Sequence, residues 1–580
     1  MKRIRADNSA LAKRTPGWWA TPALAGVLFA LIVLNNSELI FQSRIYEHDD
    51  YAADSLQVLK AKKFRETLGH YCRFQFHHPG PAFFYVFAWA ELALSDALRV
   101  VPTPFNAQLV AVYALGAFFF SAALIMVARH LPRGRIWFLG LSLVLAAWHF
   151  GAVGKFYEFI PGHFGVFCPW PPCLLVFPFL CFVVGAASVA SGTARDLPVT
   201  TLAACFLVHG YACMPLFVVP LTVLAYALLL VQSRRERQLW PWRIAPHAHW
   251  LAGGVIALFL VPIVADLVTA HPNNLERVLR HLRTGSSEHK SLLQSVLYFL
   301  HFGAYSAYPS TNSIPALESF DWPGTVAFFT AHWKAYGLWV LVLALALILS
   351  RRLQMDEPDA IAVRRFGQRL GWFLLGATAL TLAWGCLQEG PMFYYTSLFN
   401  FAIYYGGLLL FALVVARWIE QRARTWPRHL ALTGRIALFI IVVAACIHER
   451  RRFRTMTPDQ RQQAQFADAI EQALKLDPVE PKFFNFDWQA GGQTTRVALY
   501  LERHGHRWLV REDWPLLFGE ERIVREGKAG QPVPDASSSY WRVGLHGNTA
   551  NLPEAPDARV FPLSAEYDLI VYPGKPETAR

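Results

Sequence analysis

The 580-residue chain is strongly apolar, because 54% of its residues are hydrophobic and only 16% are charged. Apolar runs recur along residues 1–450, each near the roughly 20 residues that a helix needs to cross a bilayer, which excludes an ordinary soluble globular protein. The formal net charge of +13 comes from Lys and Arg clusters at the ends of these runs. The positive-inside rule explains such clusters, so no nucleic-acid partner is expected.

The sequence predicts about eleven transmembrane helices. The apolar run after the basic N-terminus lacks a small-residue cleavage site and is too long for a signal-peptide core, so we expect a retained first helix with a cytoplasmic start. An odd number of crossings then places the C-terminal segment outside. The predicted spans are residues 22–42, 107–128, 136–153, 172–190, 198–213, 214–232, 250–270, 326–349, 369–388, 397–417 and 431–448.

The apolar run at residues 81–98 is not counted as a transmembrane helix. Counting it as a full crossing would put the basic cluster from Arg129 to Arg135 outside, against the positive-inside rule. We therefore predict a helix that lies at the membrane surface or re-enters the membrane. The outer loops are then residues 43–108, 154–172, 271–325 and 388–396.

The densest acidic cluster, Glu47, His48, Asp49 and Asp50, follows directly on the first span. A carboxylate just outside the membrane is well placed to act as a base on a lipid-linked substrate. The alternative is that Asp49 and Asp50 only cap the helix that begins near Ala52.

The same loop ends at His77 and His78, which are followed by Pro79, Gly80 and Pro81. Two prolines around a glycine fix a turn and hold the histidine pair at the membrane surface. A carboxylate near a basic pair suits transfer of a sugar from a lipid phosphate, because the acceptor hydroxyl must lose a proton and the departing phosphate must be neutralised. The alternative is that both histidines are ordinary interfacial residues.

The second outer loop follows the third predicted span and contains Lys155, Tyr157, Glu158 and His163. These residues offer a cation, an aromatic ring, a carboxylate and a base to a sugar phosphate. An aromatic belt at the membrane interface is the competing interpretation for the rings.

The later outer loops hold further polar candidates. Arg277, Arg280 and His281 have helical spacing and could converge on an anion such as a lipid phosphate, unless they form a solvated basic face against anionic headgroups. Glu389 and Tyr394, between two late spans, are candidate substrate contacts or interfacial anchors.

Residues 451–580 change in character, with shorter apolar runs and more polar residues, and predict a soluble α/β domain on the periplasmic side. The pattern predicts helices at 456–476 and 492–504, with Thr457 or Asp459 as the cap of the first, and strands at 482–486, 508–511 and 568–572.

The first helix, the acidic loop with Asp49-Asp50 and the turn His77-His78-Pro79-Gly80-Pro81 together resemble the C-type glycosyltransferase superfamily. This superfamily includes the lipid A aminoarabinose transferases, protein mannosyltransferases and mycobacterial arabinosyltransferases. The resemblance implies an integral membrane enzyme that uses a polyprenyl-phosphate sugar on the outer face, with an acidic residue of the first loop as base and often a divalent metal nearby. In the aminoarabinose and mannosyl branches the turn commonly reads Lys-Pro-Pro, so the departure here leaves the donor sugar open.

We therefore predict a polytopic α-helical membrane module at residues 1–450, similar to C-type glycosyltransferases, in a bacterial inner membrane. Its partners would be a polyprenyl-phosphate sugar, membrane lipids and an envelope lipid, glycan or protein as acceptor. The alternatives are a transporter or flippase, for which we see neither clear repeats nor a run of charges at the membrane midplane, and a ligase or polymerase of lipid-linked glycans.

The predicted roles divide the candidate residues into groups. Asp49 and Asp50 are the candidate bases, and with Glu158 they are the candidate ligands of a Mg or Mn ion. Contacts to the donor phosphate are assigned to His77, His78, Lys155, Arg277, Arg280 and His281. Other substrate contacts are assigned to Glu47, Tyr157, Glu158, His163, Glu389 and Tyr394.

Overall fold

The structure, a computed structural model, is mostly helical with one larger sheet. It describes residues 17, 19–72, 74–131, 133–157, 167–235, 245–284, 289–307, 321–353, 358–449, 458–486, 488–511, 515–524, 539–546 and 558–572. The chain forms two compact units. The helical unit comprises Met1–Asn36, Val112–Ala265 and Leu279–Met456, and the mixed unit comprises Ser37–Ala111, Asp266–Val278 and Thr457–Arg580.

The helices, in chain order, are α1 Ala20–Asn35, α2 Ser37–Phe41, α3 Asp49–Ala61, α4 Ala82–Ala90, α5 Pro104–Arg129, α6 Arg135–Tyr157, α7 Pro171–Leu174, α8 Val176–Ala190, α9 Leu197–Gly210, α10 Pro215–Arg235, α11 Pro246–Thr269, α12 Asn274–Thr284, α13 Leu292–Ala307, α14 Trp322–Ala331, α15 Trp333–Arg351, α16 Pro358–Cys386, α17 Asn400–Ala423, α18 Arg428–Glu449, α19 Gln460–Leu476, α20 Gly491–Arg503 and α21 Pro515–Phe518. The strands are β1 Tyr71–Cys72, β2 Phe76–His77, β3 Lys482–Phe486, β4 Trp508–Arg511, β5 Ile523–Val524, β6 Ser539–Leu545, β7 Arg559–Pro562 and β8 Tyr567–Tyr572.

The apolar helices confirm a polytopic membrane protein. Every predicted span overlaps a helix, and among the described residues 7 helices are long and apolar enough to cross a membrane. These are Pro104–Arg129, Arg135–Gly154, Pro171–Ala190, Pro215–Arg234, Pro246–Thr269, Trp333–Arg351 and Asn400–Ala423. The run at residues 81–98 is not one of them, because it divides into the short helix α4 and a π-helical segment, Glu91–Ala97. The orientation of the spans stays a prediction.

The C-terminal part is the predicted α/β fold. A six-stranded sheet has the order β5-β4-β3-β6-β8-β7. Strand β3 is parallel to both β4 and β6, whereas β8 is antiparallel to β6 and β7. Helix α19 begins at the predicted cap Asp459, whose carboxylate accepts a hydrogen bond from the Arg461 N–H at 2.9 Å, and this satisfies one of the helix's unpaired donors. The other predicted cap, Thr457, lies outside the described residues.

The first outer loop shares a hydrophobic core with this sheet. Helix α3 contributes Ala52, Ala53 and Leu56 to the cluster that includes Phe466 of α19 and Val497 of α20. The small side chains of α3 allow close packing, and burial of apolar surface drives the association. The sequence boundary predicted at residue 450 therefore does not coincide with the compact mixed unit, which is built from separate stretches of the chain.

Candidate active site

The acidic cluster lies at the start of α3. Asp49 is the first residue of the helix and has a positive φ of 50°, a left-handed conformation that Asp tolerates better than most residues. Its carboxylate lies 2.6 Å from His48 Nδ1, and the side chain is 61% exposed. Of the two predicted bases, Asp49 is therefore the one open to solvent.

Asp49 also lies against the first turn of α20. A Cβ added at Gly492 would be only 1.4 Å from Asp49 Oδ1, so a side chain at this position would displace the Asp49 carboxylate. Burial opposes ionisation of Asp49, but the hydrogen bond and charge of His48 and the charge of Arg496 outweigh it, and the pKa of Asp49 is lowered. A helix N-terminus also favours a nearby carboxylate. Asp49 is thus ionised at neutral pH.

Asp50 and Asp54 are paired within the mixed unit instead. Tyr71 donates its hydroxyl hydrogen bond to Asp50 Oδ1, and His70 Nδ1 lies 2.8 Å from Asp54 Oδ1. Burial raises the pKa of Asp54, and the charge of Asp50 adds to this, against the lowering effect of His70. Neighbouring residues before and within β1 thus hold two carboxylates one helical turn apart.

Glu47, a predicted substrate contact, is buried and salt-bridged. Arg503 donates hydrogen bonds to its two carboxylate oxygens at 2.6 and 2.5 Å, and Arg503 also contacts Glu91 at 3.2 Å. Lys62 links Glu91 to Asp96, at 3.3 and 2.6 Å. These residues line a cavity of about 550 Å³, here named the Glu47–Arg503 cavity. Its buried charges neutralise one another.

His77 and His78 are both buried, and burial lowers the pKa of each, to about 4 for His77. His77 Nδ1 lies 2.9 Å from the Gly69 carbonyl oxygen and 3.5 Å from Gln57 Nε2. The shorter contact places the proton on Nδ1 and leaves Nε2 as an acceptor. At neutral pH neither histidine carries the positive charge that the sequence analysis assigned to the pair.

A second cavity, of about 220 Å³, joins two of the predicted outer loops and is here named the His77–Arg277 cavity. The Asn274 side chain accepts from the His77 N–H at 2.8 Å and donates to the His77 carbonyl oxygen at 2.8 Å. This exchange places Arg277, one turn later on α12, on the wall with Lys60 and Glu66. Within the described residues, Arg277 forms no salt bridge. The cavity therefore offers an uncompensated cation.

Glu66 also lines the His77–Arg277 cavity, although the sequence pattern does not single it out. It directly follows the basic run from Lys60 to Arg65, which is typical of a solvated helix face, yet Glu66 is only 5% exposed. Its Oε1 accepts from the Leu68 N–H at 2.9 Å. Burial raises the pKa of Glu66 to about 7. The sequence carries only a weak signal for it, a single carboxylate within a cationic run.

The other predicted donor contacts are not brought into this cavity. Arg280 is exposed and His281 half-buried, both further along α12, and neither is among the lining residues. Lys155 and Tyr157 lie in the last turn of α6. Glu158 and His163 lie outside the described residues. In the helical unit, Glu389 and Tyr394 are half-buried before α17, and the Tyr394 ring packs edge-on against Tyr395.

A divalent cation would need more ligands than the described residues supply. No three His, Cys, Asp or Glu side chains among them come together as a metal site. Asp49 is engaged by His48 and Asp50 by Tyr71. The described members of the predicted metal set, Asp49 and Asp50, thus do not form a metal site by themselves.

Comparisons with known proteins give matches only among solved structures. No protein-family model matches the chain, and no curated protein matches it. Among solved structures, ArnT from Cupriavidus metallidurans matches in its apo state, with 14% identity and a TM-score of 0.39, over 94% of this chain and 97% of that one. The same protein bound to undecaprenyl phosphate matches at 14% identity with a TM-score of 0.41 and the same coverage. At this identity and TM-score, neither match carries a conclusion about the activity of this chain.

Proposed function

We propose that the chain is an integral membrane glycosyltransferase that transfers a sugar from a polyprenyl-phosphate donor to an acceptor on the outer face of a bacterial inner membrane. The acceptor is an envelope lipid, glycan or protein. The proposal includes a multi-pass topology with a cytoplasmic N-terminus and a periplasmic C-terminal domain.

The observation that supports this proposal is the His77–Arg277 cavity. Its lining includes His77 from the first outer loop and Arg277 from the third, and the Asn274 side chain, one turn before Arg277, exchanges two hydrogen bonds with the His77 backbone. Arg277 is half-buried with no salt bridge among the described residues, so its guanidinium can pair with a phosphate in bidentate geometry. Neutral His77 would accept a hydrogen bond through Nε2, from a sugar hydroxyl or a protonated phosphate oxygen.

The proposed reaction is a displacement at the anomeric carbon with inversion. The acceptor oxygen bonds to that carbon while its proton passes to a base, and the bond from the carbon to the phosphate oxygen breaks. Asp49 is the better base of the predicted pair, because it is exposed and ionised, whereas Asp50 accepts the Tyr71 hydroxyl. Arg277 and Lys60 stabilise the charge that develops on the departing phosphate.

The test is sugar transfer in membranes that contain the wild type, Asp49→Asn, Asp50→Asn or Arg277→Met, with a panel of radiolabelled polyprenyl-phosphate sugars. We expect one donor to be consumed by the wild type, with the largest loss in Asp49→Asn and a smaller one in Asp50→Asn. Equal turnover in all the variants would contradict the proposal. Movement of a lipid-linked glycan across proteoliposomes without any transfer would assign a flippase instead.

A further inference from the structure

Glu66 is the buried carboxyl group of the His77–Arg277 cavity. It is one of the residues that line the cavity, together with Lys60 and Arg277. The Leu68 N–H holds one carboxylate oxygen at 2.9 Å, and the Tyr85 hydroxyl donates to the Glu66 carbonyl oxygen at 2.8 Å. These two hydrogen bonds hold the residue in place in the lining of the cavity that would bind the donor phosphate.

The charged groups around Glu66 come from every neighbouring element. Lys60 of α3 is paired with Glu521 at 2.7 Å. From the end of α11, Asp266 accepts the Asn274 N–H at 2.9 Å, and α12 contributes the uncompensated Arg277. His77 of β2 is neutral at pH 7, because burial lowers its pKa to about 4. Burial raises the pKa of Glu66 to about 7, so this carboxyl group can hold a proton near neutral pH and release it to a phosphate oxygen.

We infer that Glu66 is the proton donor to the phosphate that leaves the sugar. This inference rests on the proposed function and deepens it. As the bond between the anomeric carbon and the bridging oxygen breaks, that electron pair stays on the oxygen, and the donor phosphodiester becomes a phosphate monoester with one more negative charge. The Glu66 carboxyl proton passes to a monoester oxygen, so the products are a Glu66 carboxylate and a singly charged polyprenyl phosphate.

The acidities of the two groups suit this transfer. The second pKa of a phosphate monoester is about 6, and burial raises the pKa of Glu66 to about 7. An acid whose pKa lies within about one unit of its partner's and near the working pH is an efficient proton donor. Arg277 stabilises negative charge on the phosphate. In the product complex, Glu66 and the phosphate monoester therefore share one proton.

If Glu66 and the phosphate share one proton, binding of the phosphate changes the number of bound protons, and this change can be measured without knowledge of the donor sugar. At pH 7.5 both free groups are largely ionised, and two negative groups in a small cavity repel each other. Binding of a polyprenyl phosphate must therefore take up protons from solvent, about one proton per bound molecule at this pH. A phosphate bound only by cations does the opposite, because cations lower its pKa and release protons.

The experiment is calorimetric titration of farnesyl phosphate into the purified full-length protein, in buffers of different ionisation enthalpy between pH 6 and 8.5. We expect proton uptake by the wild type at pH 7.5, and none, or proton release, by Glu66→Gln. The glutamine keeps a carbonyl oxygen for the Leu68 N–H, so the local turn is preserved. Glu471→Gln is the control, because it removes an exposed glutamate on α19 that does not line the cavity and should leave the uptake unchanged.

The outcomes separate the inference from the proposed function. Binding by the wild type without proton uptake overturns the inference and leaves the donor site standing, as does equal uptake by Glu66→Gln. Absence of any farnesyl phosphate binding by the wild type overturns the proposed donor site, and the inference with it. Absence of uptake by the wild type contradicts the inference even if a variant folds poorly.

Discussion

The two cavities of the mixed unit use buried charge in opposite ways. In the Glu47–Arg503 cavity the carboxylates of Glu47 and Glu91 are both bonded to Arg503. In the His77–Arg277 cavity, Arg277 has no salt bridge among the described residues, and Glu66 is held only through backbone N–H groups. Charges that neutralise each other within the protein hold the outer loop and the C-terminal domain together. A charge that the fold leaves uncompensated is available to a ligand.

The largest expected effect comes from breaking the compensated network with Arg503→Met. Burial disfavours the Arg503 cation, but Glu47 and Glu91 outweigh it and raise its pKa. Removing this partner leaves the buried Glu47 carboxylate without its cation, while Glu91 keeps only Lys62 at 3.3 Å, so the free energy of unfolding should fall by about 3–5 kcal/mol. Denaturant unfolding of the purified protein in detergent measures it.

The control for Arg503→Met is Glu521→Gln. The Lys60–Glu521 pair is well exposed, with side-chain exposures of 35% and 55%, and an exposed pair contributes no more than about 1 kcal/mol. Equal losses in both variants would show that the Glu47–Arg503 cavity is no more stabilising than a surface pair, and the contrast between the cavities would fail.

The next effect concerns pH and Glu66. Its folded pKa of about 7 lies above the ordinary value of 4.5, so the folded state holds the proton more tightly than the unfolded chain. The wild type should therefore lose about 3 kcal/mol of stability as the pH rises from about 4.5 to 7, and little more above that. Glu66→Gln cannot ionise and should lack this loss, which unfolding curves at pH 5 and pH 8 compare directly. Parallel losses in both proteins would show that other groups titrate there.

Arg277→Met is the counterpart of Arg503→Met, because the same substitution is made at an uncompensated cation. We expect the Kd for farnesyl phosphate to rise about 10- to 100-fold, since a hydrogen bond to a charged group contributes about 1.5–3 kcal/mol. The free energy of unfolding should change by less than about 0.5 kcal/mol, because no salt bridge is lost.

Arg280→Met is the matched control for Arg277→Met, because Arg280 lies on the same helix but is exposed and outside the cavity. It should bind farnesyl phosphate as the wild type does. If instead Arg277→Met destabilised the protein as much as Arg503→Met, both cavities would be structural, and the donor site would have to lie elsewhere.

Local pattern explains which parts of this molecule the sequence could predict. Strands β3 and β4 begin and end at the predicted residues, and Asp459 caps α19 as its position before a periodic segment indicates. Apolar runs of membrane length predict the helices for the same reason. The acidic cluster and the histidine turn could be singled out because both are dense and local.

Pairing between distant residues is what the sequence could not predict. Glu47 and Arg503 are 456 positions apart, and nothing local distinguishes a carboxylate that is bonded to a buried arginine from one that faces a substrate. Glu66 looks solvated in the sequence because its neighbours are cations. The cavity that it lines is also lined by Leu517 and Phe518, which come from the far end of the chain.

Asp49 differs from the charged residues of both cavities, because its carboxylate is exposed to solvent yet contacts the first turn of α20. Gly492→Ala should test how firmly it is held, since the added methyl group would lie 1.4 Å from Asp49 Oδ1 and the carboxylate must rotate away. Because the side chain is exposed and short, we expect a loss of only about 1 kcal/mol in stability, at the lower end for overpacked sites. The rate of donor turnover should fall by more than this loss of stability explains, because a displaced carboxylate is a misplaced base.

A double-mutant cycle with Asp49→Ala assigns that loss to its cause. Without the carboxylate, the methyl group at position 492 meets only the Asp49 backbone, whose Cα lies 3.3 Å away, so most of the stability cost should disappear in the double variant. Such coupling would mean that α20 positions the proposed base, and hence that the C-terminal domain belongs to the active site. Additive losses would mean that the glycine serves only the start of its own helix, and that Asp49 keeps its place without help from the C-terminal domain.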